Sequence, residues 1–348
     1  MFEIQLVNKM NGRAHELKQV EKIRLMPIIL LTNSYSKAPL DILNKELPNG
    51  FELISLNEAN KKELIEKAGK ADYLLVSGRI PIDKDVIDAS TRLKMIQRTG
   101  VGVDTIDTKA LKERGIPVYV NTGINSYSVA EHTLMLILAV LRKLPAADAS
   151  VRRGTWLKQE LGIQCNELRG KTVGLVGLGS IGTEVAKLLN AFNATVLYSK
   201  PSKLSDVEER ELHLEYRSLP QLLREVDILS LHLPLNAKTR NLIGHKEISQ
   251  MKKGAIIINT SRGQLINEEA LITALKSGHL KGAGLDVYST EPLPASNPLT
   301  HLENVVLTPH IAGITSESFQ RMMGEAMTNI KVFHEGKIEM IESKRLEL

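Results

Sequence analysis

Three residues late in the chain have side chains that could act together: Arg262, Glu291 and His310. Each follows a short hydrophobic run that reads as a strand and breaks into a loop. The runs are Ala255–Asn259 before Thr260-Ser261-Arg262, 283–287 before Glu291-Pro292, and Val305–Leu307 before Thr308-Pro309-His310. In an open α/β sheet, ligands bind outside the carboxyl ends of the strands. A guanidinium, a carboxylate and an imidazole delivered there from three strands are the groups needed to bind a 2-keto acid and protonate its carbonyl.

Upstream of all three lies a glycine loop, Val176-Gly177-Leu178-Gly179-Ser180-Ile181-Gly182. The G-x-G-x-x-G pattern alone is a weak signal. Here it follows a clean strand, Thr172–Val176, and opens a helical stretch over 183–192, which is the context the motif requires. Gly177 allows the tight turn, Gly179 lets the backbone approach a pyrophosphate, and Gly182 permits close packing of helix on strand. The amides of Ser180 and Ile181 then face the phosphates at the positive end of the helix. On the next strand, 195–198, dinucleotide sites that take NAD usually end in an acid that bonds the ribose 2′-hydroxyl. Ser199 stands there instead, followed by Lys200-Pro201-Ser202-Lys203. A carboxylate would repel a 2′-phosphate, whereas serine and lysine would accept one, a charge contact of up to about 4 kcal/mol before desolvation. Ser199, Lys200 and Lys203 therefore point to NADP as the preferred cofactor, with NAD the alternative.

The elements that must position these groups form two α/β stretches. At 348 residues the chain suits two domains. The first stretch has apolar runs at Ile28–Leu31, 51–54, Tyr73–Val76, 95–96 and Val118–Val120. The second has them at Thr172–Val176, 195–198, 228–233, Ala255–Asn259, 283–287 and Val305–Leu307. Strands alternating with polar helical segments imply parallel sheets with helices on both faces. The last segment, Ser316–His334, is amphipathic with little sequence after it, so it is expected to pack back onto the first stretch. The expected fold class is α/β with two doubly wound parallel-sheet domains. A Rossmann cofactor domain over 128–311 is inserted into a flavodoxin-like substrate domain over 26–127 and 312–348. Residues 1–25 carry both signs of charge and no apolar core segment, unlike a secretory or transit peptide. They read as an N-terminal extension, or alternatively as an arm contacting a subunit or partner.

Between the two stretches, the segment from Val129 to Leu144 is apolar nearly all round. It predicts a helix capped by Ser126 or Ser128, with Glu131 in its first turn, buried between domains or subunits. With the following arm over 154–161, which carries the sole tryptophan, Trp156, it suggests a homodimer. The composition, 43% hydrophobic and 24% charged, is that of a soluble globular protein. No run approaches the roughly 18 apolar residues of a membrane helix. The net charge of +5 comes from scattered lysines and arginines with few aromatics, which argues against a nucleic-acid face and suits anionic small ligands. The single cysteine, Cys165, excludes a disulfide within the chain and suggests a reducing, cytoplasmic setting. No metal is expected. His132, His232, His279 and His301 read as structural, and Asp104, Asp107 and Glu131 as caps or turn residues.

Taken in order, the glycine loop, Asn259-Thr260-Ser261-Arg262-Gly263, Gly284-Leu285-Asp286-Val287 with Glu291-Pro292, and Thr308-Pro309-His310 resemble the D-isomer-specific 2-hydroxyacid dehydrogenases. The resemblance extends upstream to Arg98-Thr99-Gly100-Val101-Gly102-Val103-Asp104 and Ser128-Val129-Ala130-Glu131-His132-Thr133, and covers nearly everything from Met26 to Gly336. It implies hydride transfer between a nicotinamide and a small 2-keto acid or D-2-hydroxyacid. His310 would be the acid, because imidazole titrates near neutral pH, and Glu291 would favour its imidazolium form. The planar fork of Arg262 would hold the carboxylate. Backbone amides around Val101 and Gly102, with Ser77-Gly78-Arg79, would form a second clamp on the substrate carboxylate. Asp286 resembles the residue that orients the nicotinamide carboxamide. Leu233, Pro234, Thr260, Ser261, His310 and Gly313 would line the cofactor channel. The missing acid on the second strand looks like the glyoxylate/hydroxypyruvate reductase branch. A phosphoglycerate dehydrogenase is the alternative, although no regulatory domain follows Gly336 and Ser77 stands where that branch often carries arginine. A dinucleotide-sensing corepressor is the alternative outside enzymes.

Overall fold

A computed structural model of the protein describes residues 26–77 and 80–348. The extension expected over 1–25, and the clamp residues Gly78 and Arg79, lie outside the described residues.

The first domain is built on β1 (Ile28–Leu31), β2 (Glu52–Ile54), β3 (Tyr73–Val76), β4 (Met95–Arg98) and β5 (Val118–Val120). All pair in parallel in the order β2-β1-β3-β4-β5, the flavodoxin-like doubly wound order. Side chains alternate across a strand, so β3 feeds two cores. Leu74 and Val76 join Leu30, Ile96 and Val118 beneath Leu64 and Ala68 of helix Lys61–Ala68 and Val86 and Ile87 of helix Lys84–Ala89. Tyr73 points the other way. Its ring and that of Tyr119 lie 6.3 and 5.9 Å from Phe333, and its hydroxyl is 2.8 Å from Nδ1 of His334. The end of helix Ser316–His334 therefore covers the second face.

The second domain contains β6 (Thr172–Val176), β7 (Thr195–Ser199), β8 (Leu214–Tyr216), β9 (Ile228–Leu231), β10 (Ala255–Asn259), β11 (Leu280–Leu285) and β12 (Val305–Leu307). The parallel order is β12-β11-β10-β9-β6-β7-β8. Counted from β6 this is the Rossmann order 3-2-1-4-5-6 with one further strand. β10 is buried along its whole length, as a central parallel strand must be. Ile256 and Ile258 pack with Val173, Leu175 and residues of helices Ser126–Leu141 and Ser180–Ala191. Ile257 packs on the opposite face with Leu229, Leu231 and residues of helices Leu219–Glu225 and Glu268–Lys276. The edge strand β8 has no counterpart among the expected runs, because its three residues, Leu-Glu-Tyr, carry no apolar stretch.

The apolar helix begins earlier than its sequence suggests. It spans Ser126–Leu141, with Asn125 at the N-cap position and no side-chain cap, so Ser126 and Ser128 are buried first-turn residues rather than caps. Lys143 then adopts a left-handed conformation (φ 51°) and a separate helix, Leu144–Arg152, starts after it. One face of Ser126–Leu141 is buried in its own domain, while Tyr127 and Met135, two turns apart, are exposed. The chain divides into compact units at Asn121/Thr122 and Met322/Met323, whereas the sequence suggested joins at 127/128 and 311/312. The short segments between follow the second domain for a packing reason. Gly313 sits so close to Asn125 that a methyl group there would lie 2.5 Å from its side-chain nitrogen. Among the described residues no helix is long and apolar enough to cross a membrane.

Candidate active site

The sheet order turns the sequence pattern into a line. β12, β11 and β10 are neighbours, so His310, Glu291 and Arg262 leave the carboxyl ends of three adjacent strands. Next along the same edge come β9 with Leu233 and Pro234, β6 with the glycine loop, and β7 with Ser199. At about 4.8 Å per strand the His310 end and the glycine loop are about 19 Å apart.

His310 and Glu291 are in direct contact, Nδ1 to Oε2, at 2.7 Å. A carboxylate only accepts, so Nδ1 carries the hydrogen and Nε2 is left for other chemistry. The other Glu291 oxygen, Oε1, accepts from the Tyr288 amide at 3.1 Å. His310 has φ 58°, a left-handed backbone that costs about 1–3 kcal/mol unless its surroundings enforce it. They do. Asp286, fully buried, accepts from the Thr308 hydroxyl at 2.6 Å on one side of His310, and from the amides of Ile311 and Ala312 at 2.9 and 2.8 Å on the other. The Tyr288 hydroxyl donates to the carbonyls of Leu285 (3.1 Å) and Thr308 (2.8 Å), and burial followed by the nearby Asp286 charge pushes its pKa up. Asp286, expected at the nicotinamide carboxamide, thus spends both carboxylate oxygens on the loop that carries His310.

Arg262 leaves β10 through a turn made by Asn259, whose side chain accepts from the Ser261 amide (3.0 Å) and donates to the Arg262 carbonyl (2.9 Å). One guanidinium nitrogen donates to the Ser261 carbonyl at 2.7 Å. The Ser261 hydroxyl donates to the Leu231 carbonyl at 2.7 Å, tying this turn to β9. Thr260 is buried with its hydroxyl 3.0 Å from that of Thr133. Of the expected channel residues, Thr260 and Ser261 therefore have their hydroxyls bonded inside the protein. Gly263 packs directly on the backbone of Tyr288.

The glycine loop fits a dinucleotide. Gly177 (φ 95°) lies against the His232 carbonyl, where a methyl group would come within 2.4 Å of the oxygen, and one on Gly182 would come within 2.6 Å of the Gly177 oxygen. At Gly179, by contrast, a methyl group would meet nothing within 4 Å. That open side is where a pyrophosphate would approach. Gly179 is also the N-cap of helix Ser180–Ala191 and supplies no side-chain bond, so the first-turn amides of Ser180 and Ile181 are available to an anion. At the end of β7, Ser199 and Lys200 are half-buried. Lys203 differs from expectation. Its ammonium is 3.2 Å from both Asp206 and Glu209, and Glu209 also accepts from the Tyr198 hydroxyl at 2.8 Å.

The residues expected to clamp the substrate lie in the first domain. The Ser77 hydroxyl accepts from Tyr35 at 2.5 Å, and burial raises the Tyr35 pKa. Arg98 donates to the carbonyls of Gly102 (2.8 Å) and Val76 (3.0 Å), which joins the loop after β4 to the end of the adjacent strand β3. Ser77, Val101 and Gly102 are thereby gathered at one end of the sheet, with Val101 exposed.

Sequence reasoning missed the residues that aim the site: Tyr288, Gly263, and Asp286 in its observed role. A glycine directly after Arg262 was the one available signal, since a strand-end glycine often marks close backbone approach.

The model of the D-isomer specific 2-hydroxyacid dehydrogenase NAD binding domain matches residues 134–312. Glyoxylate reductase of Aeropyrum pernix is 43% identical over 282 residues, 79% of this chain and 83% of that one. D-3-phosphoglycerate dehydrogenase of Archaeoglobus fulgidus is 40% identical over 291 residues, 83% of this chain but 54% of that one. The crystal structure of D-lactate dehydrogenase from Aquifex aeolicus, complexed with NAD and lactic acid, superposes with a TM-score of 0.81 at 30% identity, covering 92% of this chain and 98% of that one.

Proposed function

The chain belongs to the D-isomer-specific 2-hydroxyacid dehydrogenase family, and we propose that it reduces a small 2-keto acid of the glyoxylate or hydroxypyruvate type, with His310 as proton donor and Arg262 as carboxylate clamp. The enzyme is an NAD(P)-dependent oxidoreductase of 2-hydroxyacids. The observation that carries the finer reading is the 2.7 Å His310–Glu291 pair, on the two strands next to that of Arg262.

When bound, the nicotinamide supplies the hydride. Arg262 offers paired donors to the substrate carboxylate and polarises the keto oxygen. Glu291 keeps the Nδ1 hydrogen of His310 in place, so the proton that reaches the keto oxygen leaves Nε2. In the oxidative direction Nε2 takes that proton back.

Three further features belong to this proposal. NADP is preferred, on the strength of Ser199 and Lys200 at the ribose end; Lys203 contributes only if it exchanges its carboxylate partners for a phosphate. The protein is a homodimer in the cytoplasm, paired through the faces that expose Tyr127, Met135, Leu144, Val151 and Trp156, the last 77% exposed. Its partners are small acids rather than nucleic acid or membrane. The 40% identity to D-3-phosphoglycerate dehydrogenase favours that activity as a second reading. Oxidation of NADPH and NADH with glyoxylate, hydroxypyruvate and 3-phosphohydroxypyruvate separates these. Turnover of the phosphorylated acid alone would replace the first reading by the second. Dinucleotide binding without turnover of any keto acid would replace both by a sensor.

A further inference from the structure

Two consecutive residues of helix Ser126–Leu141 reach the two loops that carry the reacting groups. His132 Nε2 is 2.9 Å from the Thr308 hydroxyl, two residues before His310. The Thr133 hydroxyl is 3.0 Å from that of Thr260, two residues before Arg262.

The direction of each bond follows from counting protons. A threonine hydroxyl has one hydrogen and can accept others. That of Thr308 is directed at the Asp286 carboxylate, 2.6 Å away and already accepting from two backbone amides. Thr308 must therefore accept from His132, which fixes a hydrogen on Nε2. Likewise Thr133 donates to the Val129 carbonyl at 2.7 Å, so it accepts from Thr260. Burial holds the His132 imidazole below its ordinary pKa against the pull of Asp286. A neutral imidazole with its hydrogen on Nε2 meets every requirement of this network.

We infer that His132 and Thr133 are positioning residues for the reaction: through Thr308 and Thr260 they fix the two loops from one rigid helix and so set the spacing of His310 and Arg262. This rests on His310 being the proton donor. Without the Nε2 hydrogen, the Thr308 rotor has one anchor fewer, and the loop holding His310 against Glu291 loses a side-chain constraint on its Thr308 side. Misplacement of a catalytic group by about 1 Å costs about 100-fold in rate.

The test uses the enzyme and six variants. In His132→Leu and Thr308→Val the bond is lost. In His132→Gln, an amide N–H can stand near Nε2, and Thr308→Ser keeps the hydroxyl. We expect the first two to lower kcat by about 10- to 100-fold, to shift the pH profile of kcat/KM, and to leave dinucleotide affinity within about twofold. Glutamine and serine should restore both rate and profile. An unchanged kcat and profile in folded His132→Leu overturns the inference. So does a loss that only tracks the unfolded fraction with the profile unmoved, because a merely structural role predicts that. If His132→Leu does not fold, Thr308→Val against Thr308→Ser decides by the same profile. Thr133→Val should raise the keto-acid KM and lower kcat, since it acts through Arg262, and wild-type values for both would overturn the Thr133 half. His310→Asn keeps the two failures apart. If it retains turnover, the proton-donor reading fails; if it is inactive while His132→Leu and Thr308→Val behave as wild type, only this inference fails.

Discussion

Gly263 and Tyr288 meet backbone to backbone: a methyl group on Gly263 would lie 1.9 Å from the Tyr288 carbonyl carbon and 2.0 Å from its oxygen. Gly263 follows Arg262 in the chain, and the Tyr288 amide holds one oxygen of Glu291. This contact is where the loops of β10 and β11 are set against each other. It leaves the two loops no room to move closer at this point.

Gly263→Ala should therefore damage the site without touching any reacting group. The clash is with main chain, which cannot rotate away, so one loop must move. Overpacking of this kind costs about 1–3 kcal/mol of stability, and displacement of Arg262 by about 1 Å should lower kcat/KM by about 100-fold. Urea unfolding and steady-state kinetics on one preparation check both. Wild-type kcat/KM in a folded variant would show that this contact does not set the loops.

His310→Asn isolates the imidazole from its backbone. Asparagine accepts the left-handed conformation that His310 adopts at φ 58° more readily than other non-glycine residues. The loop geometry should survive while the acid is lost. Turnover is expected to fall by about 10²–10⁴, with dinucleotide affinity little changed. His310→Ala should lose a similar factor in turnover. Retention of turnover in the asparagine variant would remove His310 from the proton-transfer step.

How far the site could be read in the linear chain depended on whether its contacts were local. The glycine loop was legible because turn, strand and helix follow one another in sequence, and the observed close approaches at Gly177 and Gly182 are those the motif needs. The pairing of Glu291 with His310 was expected only through the family resemblance, since it depends on β11 and β12 lying side by side. The observed role of Asp286 was not legible, because its partners at 308, 311 and 312 become neighbours only once β11 and β12 pair. The carboxylate partners of Lys203 were not legible either: they lie three and six residues ahead, on the helix Asp206–Leu212, capped by the box at Ser205 and Glu208.

Ser199→Asp tests the ribose end. A carboxylate at the end of β7 should repel a 2′-phosphate and bond a 2′-hydroxyl instead. We expect the ratio of kcat/KM for NADPH to that for NADH to fall by about 10- to 100-fold, corresponding to about 1–3 kcal/mol of a near-surface charge contact after desolvation. Glu209→Gln should move the same ratio upward more modestly, because it frees Lys203 from one of its partners. If neither variant changes the ratio, cofactor choice is not made at this strand end.

His232 supplies a dependence of stability on pH that does not involve the chemistry. It follows β9, with its carbonyl against Gly177 and its Nε2 2.9 Å from the Ser230 hydroxyl. Its Nδ1 is out of contact with solvent and has no hydrogen-bond partner among the described residues. Burial lowers its pKa from the ordinary 6.5 to about 4. Between those values the unfolded chain binds a proton that the folded chain refuses, so stability rises with pH across the window. The contribution is fully present above 6.5 and is lost as the pH falls toward 4. Its size is at most about 3 kcal/mol, reduced by the partial exposure of the residue. His132, whose pKa is also lowered, acts in the same direction, so the informative quantity is a difference. Urea midpoints for the wild type and His232→Gln at neutral pH and near pH 5 should show a smaller loss on acidification in the variant, whatever its stability at neutral pH. Equal losses would mean that His232 takes up its proton in the folded protein as easily as in the unfolded one.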